Sequence, residues 1–209
     1  MVDMPSAAAL HIVEISDPDD DMLLPWLDLY EVAFPPNERM LVSFYLRLLK
    51  EKRGGLQPDH HLLAVQREGV FVGLAHYVVI AEHNLAWLWM FAVTPEARNH
   101  GVGAAIYRDV ARRLPVGTTA VLLEVKRPDL ASSEEERHLA ERRIAFYRRQ
   151  GARLLEGVYY VQSVGPHQPP LPMHVMLHPL QPLDAETAFQ LAQAIFGDTI
   201  TQTGALSLH

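Results

Sequence analysis

The apolar residues of this chain recur at two spacings, and the change from one to the other predicts a mixture of strands and helices. Residues 9–15 alternate loosely and predict a first strand. Two apolar stripes at helical spacing follow, and they stop at Pro35 and Gly54, residue types that commonly end helices. Residues 62–66 and 70–81 then predict a β-hairpin. The first third of the chain is therefore expected to form a strand, two helices and a hairpin.

The second part of the chain repeats these two spacings. Ser133 and Glu136 have the spacing of a capping box, which predicts the start of a helix that Gly151 ends. The predicted elements are, in order, a strand at 85–93, a helix at 102–114, a strand at 120–125, a helix from 133 to about 150, strands at 152–164 and 173–178 separated by proline-rich residues 165–172, and a last helix at 184–196.

A glycine turn connects the strand at 85–93 to the helix that follows it. Gly101 and Gly103 remove side-chain bulk where a ligand could approach the backbone. The first amides of a helix have no partner within the helix, and a phosphate can supply one. The turn therefore predicts an anion site suited to a pyrophosphate. A tight turn without a ligand would use the same glycines, whereas P-loop and Rossmann motifs need residues that do not follow here.

The residues around the turn narrow this choice. Arg98-x-x-Gly101-x-Gly103-Ala104, preceded by Phe91-Ala-Val-Thr-Pro95, resembles the acetyl-CoA-binding motif of the GNAT N-acetyltransferases. The predicted order of elements over residues 9–180 is also similar to that family. The resemblance implies the acyl-CoA N-acyltransferase fold, an α/β (α+β) arrangement with a mixed, mostly antiparallel sheet that splays between strands 4 and 5 and is flanked by helices.

The resemblance also implies which residues bind acetyl-CoA, the expected cosubstrate. The Phe91 amide would face the thioester carbonyl, and Val93 would bind pantetheine through its main chain. The loop amides would surround the pyrophosphate, with the Arg98 cation adding attraction. The full expected cofactor-binding set is Phe91, Ala92, Val93, Arg98, Asn99, His100, Gly101, Val102, Gly103, Ala104 and Tyr147.

Tyr147 lies in a second family-like segment, residues 143–151, which resembles the F-Y-x-x-x-G end of the last core helix. The resemblance implies that its phenol protonates the departing thiolate, which suits a group with an unperturbed pKa of about 10. A buried core aromatic is the alternative. The family often has Asn where this chain has Ala140, so one polar contact to the cofactor is missing or comes from elsewhere.

The base that deprotonates the amine has two candidates. Some family members carry a Glu on strand 4 where this chain has Trp87, so the role must move or vanish. Glu124 is the one carboxylate in the apolar run 121–125, where burial would raise its pKa, although it could also face solvent or pair with Arg143. Glu38 lies in an F-P-x-x-E-R segment that walls the acceptor pocket in some branches, although it could merely cap a helix.

Composition sets outer limits on these hypotheses. The 209 residues suit a single domain, with a core at 9–180 and an additional C-terminal helix at about 184–197. The chain has no cysteine, and its histidines lack metal-ligand spacing, so we expect no metal and a cytoplasmic location. The net charge of −7 argues against a nucleic-acid partner, and no segment predicts a membrane span or a secretory signal.

These observations favour an acetyl-CoA-dependent N-acetyltransferase that acts on a primary amine of a small molecule or peptide by direct attack in a ternary complex. The alternative is a non-catalytic acyl-CoA-binding or sensor module of the same fold. Transfer of a longer acyl group is a third possibility. A homodimer is possible, and the acceptor pocket is expected in loops 34–41, 127–133 and 165–172.

Overall fold

Eight strands and five α-helices form in the part of the chain that the computed structural model describes, residues 9–57, 59–163 and 169–209. They are β1 (Leu10–Ile15), α1 (Leu23–Ala33), α2 (Val42–Arg53), β2 (His60–Arg67), β3 (Val70–Ile80), β4 (Leu85–Val93), α3 (Val102–Arg113), β5 (Ala120–Lys126), α4 (Glu134–Arg149), β6 (Arg153–Gln162), β7 (Leu171–Pro179), α5 (Ala185–Phe196) and β8 (Ile200–Leu208).

The predicted helix starts rest on side-chain caps. Ser133 Oγ accepts a hydrogen bond from the Glu136 amide at 3.1 Å, which confirms the predicted start of α4. The Glu136 carboxylate accepts from the amide of Ser132 at 2.9 Å, one residue before the position that a capping box uses. Asp184 caps α5 by accepting from the Thr187 amide at 2.8 Å. These short polar contacts explain why the sequence located both helices.

The strands form one mixed sheet in the order β1-β2-β3-β4-β5-β7-β6-β8. The pairs β1–β2, β5–β7, β6–β7 and β6–β8 are antiparallel, and β4–β5 is parallel. The parallel pairing covers only Leu85–Leu88 against Ala120–Leu123, although the two strands continue to Val93 and Lys126. This short pairing confirms the predicted splay between strands 4 and 5.

Strand β8 was absent from the sequence prediction, which placed nothing after the last helix. It pairs antiparallel with β6, from Leu155 opposite Leu208 to Tyr160 opposite Ile200. Ile200 is buried, whereas residues 201–205 are exposed. An edge strand that buries so little has weak hydrophobic alternation, and its pairing partner is distant in the chain, so the pattern of apolar residues could not reveal it.

The chain forms two compact units, which we describe separately. The first comprises described residues 9–33, 41–76 and 90–112. Its core contains an aromatic cluster in which Trp26 and Tyr30 stack at 5.4 Å and Tyr45 meets the Tyr30 ring edge-on at 4.9 Å. Each of these three rings is fully buried, so helices α1 and α2 are joined by aromatic packing.

The second unit comprises described residues 34–40, 77–89, 113–163 and 169–209. Helix α5 packs against one face of its strands through Ala188, Phe189, Ala192 and Phe196, and the strands contribute Leu122, Leu155, Tyr160, Val175 and Leu177 among others. The C-terminal helix is therefore part of this unit's hydrophobic core. Among the described residues, no helix is both long and apolar enough to cross a bilayer.

Candidate functional site

The glycine turn of the first unit has the backbone that its sequence predicts. After β4 the chain makes a short 3₁₀ turn at Pro95–Ala97, and Asn99 and Gly101 adopt positive φ angles of 63° and 75°. Asparagine and glycine are the residues that tolerate this conformation best. The Arg98 side chain donates from Nε to the Val93 carbonyl at 3.2 Å, so it fastens the loop to the end of β4.

The start of α3 leaves donors available. The Ala105 amide donates to the Gly101 carbonyl at 3.0 Å, which closes the first turn of the helix. The amides of Val102, Gly103 and Ala104 precede this bond, so they have no partner within the helix. A Cβ built on Gly101 would have no atom within 4 Å, so the space beside the loop is open. Both features fit a diphosphate group.

A second glycine lets α3 lie close to the sheet. A Cβ on Gly73 of β3 would come within 2.9 Å of the Ala92 carbonyl oxygen and 2.9 Å of Ile106 Cδ1. No side chain larger than hydrogen fits between them. Glycine at this position therefore sets the distance between the loop-bearing helix and the expected cofactor strand, a role that the sequence prediction missed.

Strand β4 shows the alternation expected of a strand with one open face. Leu88, Met90 and Ala92 are buried, whereas Phe91 and Val93 are only half-buried, as are the two tryptophans earlier in the strand. Ala92 thus belongs to the core face. Phe91 and Val93, whose main-chain groups are expected to bind the cofactor, lie on the accessible face.

Glu124 lies in the second unit at the point where the splay begins. The last parallel pair is Leu88 with Leu123, and Glu124 is the next residue of β5. Its side chain is partly exposed, and it accepts a hydrogen bond from the Tyr160 hydroxyl. The sequence had left solvent or Arg143 as the alternatives for this carboxylate; the residue is partly exposed, and its hydrogen-bond donor is a tyrosine of β6 rather than Arg143.

Because of its surroundings, a large fraction of the Glu124 carboxyl is protonated at neutral pH. Burial raises the pKa of its carboxyl from 4.5 to about 7, although the Tyr160 hydroxyl and the Trp87 indole oppose the rise. The Trp87 contact falls outside hydrogen-bond geometry, and Nε1 of this indole has no other partner among the described residues. A carboxyl with a pKa of about 7 can both accept and release a proton near neutrality.

Aromatic rings surround this carboxylate. Tyr160 stacks on Phe196 of α5 with ring centroids 4.2 Å apart, and Phe196 meets Trp87 edge-on at 5.6 Å. Trp87 in turn stacks on Trp89 at 5.1 Å. Two members of this chain of rings, Tyr160 and Trp87, contact Glu124, and burial at this position raises the pKa of its carboxyl.

Tyr147 occupies the last turn of α4, where it is partly buried beside Phe146, with the two rings edge-on at 5.1 Å. Burial raises the pKa of the Tyr147 phenol to about 12, and the Arg143 charge opposes this only partly. The phenol is therefore protonated at neutral pH and can donate a proton. Ala140, where the family often has Asn, is buried and offers no polar group.

Glu38, the other candidate base, has a cation beside it. Lys126 Nζ lies 2.7 Å from Glu38 Oε1 and 3.2 Å from Glu136 Oε1. The contact with Glu38 is an ion pair rather than a well-directed hydrogen bond, since this oxygen lacks a hydrogen-bond partner in the described part of the chain. Desolvation lowers the pKa of Lys126, but Glu38 and Glu136 outweigh it and the pKa is raised overall. Glu38 therefore lies in a charged cluster, only 7% exposed.

The sequence prediction missed Tyr160 and Phe196. Their only local sign was Gly157, an isolated glycine inside a predicted strand, which commonly marks a bulge. His100 is exposed on its loop, and the described residues hold no group of three or more His, Cys, Asp or Glu side chains arranged to bind a metal. Residues 165–168, part of an expected acceptor loop, lie outside the described residues.

Comparison with known proteins identifies the family to which this chain belongs. The sequence model of the acetyltransferase (GNAT) family matches residues 23–152, more than half of the chain. The chain therefore belongs to the GNAT acetyltransferase family. No curated protein matches it by sequence.

Solved structures share the fold at low sequence identity. A GNAT-family protein from Bacteroides thetaiotaomicron superposes with a TM-score of 0.70 and 24% identity, covering 90% of this chain and 98% of the other. An aminoglycoside 6′-N-acetyltransferase complexed with coenzyme A gives 0.58 and 15%, covering 83% and 98%. The ribosomal-protein-S18-alanine N-acetyltransferase from Escherichia coli gives 0.51 and 19%, covering 84% and 96%. These likenesses define the fold and leave the acceptor open.

Proposed function

We propose that this protein transfers the acetyl group of acetyl-CoA to a primary amine of a small molecule or peptide, by direct attack of the amine on the thioester in a ternary complex. The observation that carries the proposal is Glu124, a partly exposed carboxyl with a pKa of about 7 where the pairing of β4 and β5 ends. Desolvation raises the pKa of this carboxyl, and its partial exposure would let it exchange a proton with a substrate.

Glu124 is assigned the role of general base. An alkyl ammonium has a pKa near 10.4 in water, so the acceptor must lose a proton before it can attack. A carboxylate with a pKa of about 7 removes that proton more readily than an ordinary one and is still largely ionised slightly above neutral pH. Glu38 is the second candidate, but its ion pair with Lys126 favours a structural role in the charged cluster.

Tyr147 is assigned the role of general acid. Its pKa of about 12 keeps the hydroxyl protonated, and a departing thiolate, whose conjugate acid has a pKa near 8.5, would accept that proton or a strong hydrogen bond. The proton that Glu124 takes from the amine and the proton that Tyr147 gives to sulfur balance the reaction. Solvent restores both groups between turnovers.

The role of binding coenzyme A is assigned to the first unit. The amides of Val102, Gly103 and Ala104, which have no partner within the helix, and the open space at Gly101 suit its diphosphate, with Arg98, Asn99 and His100 completing the loop. The main chain of residues 91–93 is assigned the pantetheine arm, with the Phe91 amide donating to the thioester carbonyl. When bound, acetyl-CoA supplies the activated acyl group. Thioesters with longer acyl groups can be tested in the same assay.

The proposal is tested by two measurements on the purified chain. Calorimetry should detect binding of coenzyme A, and a thiol reagent should detect its release when acetyl-CoA meets one member of a broad amine panel. Binding without thiol release for every amine would favour the sensor module over the enzyme. Absence of any coenzyme A binding would overturn both.

Tyr147→Phe provides the test of the acid. We expect kcat to fall by roughly 10- to 100-fold while the Kd for coenzyme A stays within about threefold, because only the proton donor is lost. Tyr159→Phe, the same change at an exposed position, is the matched control. Unchanged turnover in the Tyr147 variant would remove this phenol from the mechanism.

A further inference from the structure

The contact between Tyr160 and Glu124 depends on an irregularity in β6. Leu155 pairs with Val175 of β7, and Val175 pairs with Glu124 of β5, so these three residues share one face of the sheet. Tyr160 is five residues beyond Leu155, and in a regular strand an odd separation would place it on the opposite face. The register of β6 shifts between these two residues, and Tyr160 pairs with Met173 on the Glu124 face.

The bulge is stabilised by the C-terminal strand. Gly157 has a φ of 82°, and a Cβ there would lie 2.3 Å from the carbonyl oxygen of Ala205. Glycine is therefore required for β8 to close against the bulge. The register between β6 and β8 shifts at the same point, between Glu156 and Val158. Strand β8 thus packs directly on the irregularity that changes the side on which Tyr160 lies.

Helix α5 packs against the ring of Tyr160, the residue that the bulge places on the Glu124 face of the sheet. Phe196, the last residue of α5, stacks on Tyr160 with an angle of 28° between the rings, and both residues are more than nine-tenths buried. The Tyr160 side chain crosses β7, the strand between β6 and β5, before its hydroxyl reaches Glu124. The ring therefore has one orientation, and the carboxylate receives a donor from a fixed direction.

We propose that Tyr160 is a positioning residue for the reaction, and that the C-terminal segment Ala185–Leu208 serves this chemistry by holding Tyr160 against Glu124. This inference rests on the proposed function. Tyr160 is buried, and its hydroxyl is directed to Glu124, so its effect on the reaction is exerted through that carboxylate. It acts by holding the carboxylate in one position just beyond the last β4–β5 pair and by stabilising its ionised form, which a hydroxyl donor does.

The test compares Tyr160→Phe with Tyr159→Phe, a matched change at an exposed neighbouring position. Loss of the hydroxyl removes a donor to the charged form, so the pKa of Glu124 should rise and the acid limb of kcat/KM should move up by about one pH unit. Activity near pH 7 should fall up to about tenfold and recover at higher pH. Tyr159→Phe should leave the acid limb in place.

A second readout does not need turnover. Trp87 lies beside Glu124, so the pH titration of tryptophan fluorescence should contain a step that Glu124→Gln removes. Tyr160→Phe should move this step upward by the same amount as the acid limb. Phe196→Leu keeps the Tyr160 hydroxyl but removes the ring that stacks on Tyr160. It should move the fluorescence step and the acid limb of kcat/KM in the same direction as Tyr160→Phe, by a smaller amount.

The outcomes separate the two proposals. An unmoved acid limb and an unmoved fluorescence step in a folded Tyr160→Phe variant would overturn the role of Tyr160 while leaving the acetyltransferase intact. A pH-independent loss of activity would also overturn it, because that pattern indicates structural damage. Wild-type protein that acetylates no amine would instead overturn the proposed function, and the fluorescence step would still report the contact.

Discussion

His76 in the first unit and Glu124 in the second both contact a tyrosine, yet burial has opposite consequences for them. His76 is fully buried, with Nδ1 3.4 Å from the Tyr45 hydroxyl and Nε2 3.0 Å from Nδ1 of His60. Burial lowers its pKa well below the ordinary value, and charges on His60, His61 and Lys52 lower it further. Burial raises the pKa of Glu124 to about 7.

The same physical effect, the cost of burying a charge, thus produces two different kinds of site. The imidazole of His76 is neutral across the neutral range and has no solvent access, so it serves as a hydrogen-bonding part of the core. The carboxyl of Glu124 is balanced between its two forms and is partly exposed, so it can exchange a proton with a ligand. Accessibility, more than the size of the pKa shift, separates the structural group from the catalytic candidate.

The largest expected effect sharpens this comparison at the carboxylate. Glu124→Gln keeps the shape but cannot accept a proton, so kcat/KM above neutral pH should fall by about 100-fold or more. Glu38→Gln should cost much less activity, because its carboxylate lies in an ion pair with Lys126. Rate measurements from pH 6 to 9 would check both, and a larger loss in the Glu38 variant would transfer the role of base to that residue.

An effect of intermediate size concerns the fall in stability as the pH rises from mildly acidic to alkaline values. The pKa of Glu124 is about 7 in the folded chain and near the ordinary 4.5 when unfolded, so folding favours the protonated form. The stabilisation is complete below pH 4.5 and is lost as the pH rises through 7. Between pH 4.5 and pH 9 we expect the free energy of unfolding of wild type to fall by about 2 kcal/mol, allowing for the partial exposure of Glu124. The free energy of unfolding of Glu124→Gln should fall much less over the same range.

Urea unfolding at several pH values measures this difference. Glu156→Gln, a change at an exposed carboxylate of β6, is the control and should follow wild type. Parallel curves for wild type and the Glu124 variant would contradict a raised pKa in the folded protein.

The smallest expected effect lies on the acid side. His76 has a folded pKa below the ordinary 6.5, so the unfolded chain binds more protons and the free energy of unfolding falls as the pH drops below 6.5. His76→Gln should make this loss between pH 6.5 and 4.5 smaller, whatever its effect at neutral pH. His100→Gln, at an exposed loop position, is the control variant. An identical acid slope in the His76 variant would show that another group titrates.

Residues that act locally along the chain could be predicted from the sequence. The amides at the start of α3 follow from Gly101 and from the apolar stripe of the helix, and the cap of α4 follows from Ser133 and Glu136. These features depend on neighbours three or four residues away. The order of elements from β1 to α5 followed from the spacing of apolar residues and from turn residues, and the splay of β4 from β5 followed from the family resemblance.

Contacts across distant strands could not be predicted. The partner of Glu124 is 36 residues away in the chain, and it reaches the carboxylate only because β6 changes register. Strand β8 buries too little to show in an apolar pattern, yet it packs on the bulge at Gly157. The sequence identified Glu124 as a candidate without revealing the residues that tune its proton affinity.

Gly73 extends this lesson to affinity for the cofactor. Gly73 has no side chain, which leaves room for both the Ala92 carbonyl and the Ile106 methyl. The absence of a Cβ at this position therefore sets how close α3 lies to the sheet. Even an alanine would lift the helix and tilt its first amides away from the strand that they serve. Under the proposed function, Gly73 would influence the affinity for coenzyme A through the position of α3, without itself belonging to the phosphate-binding loop.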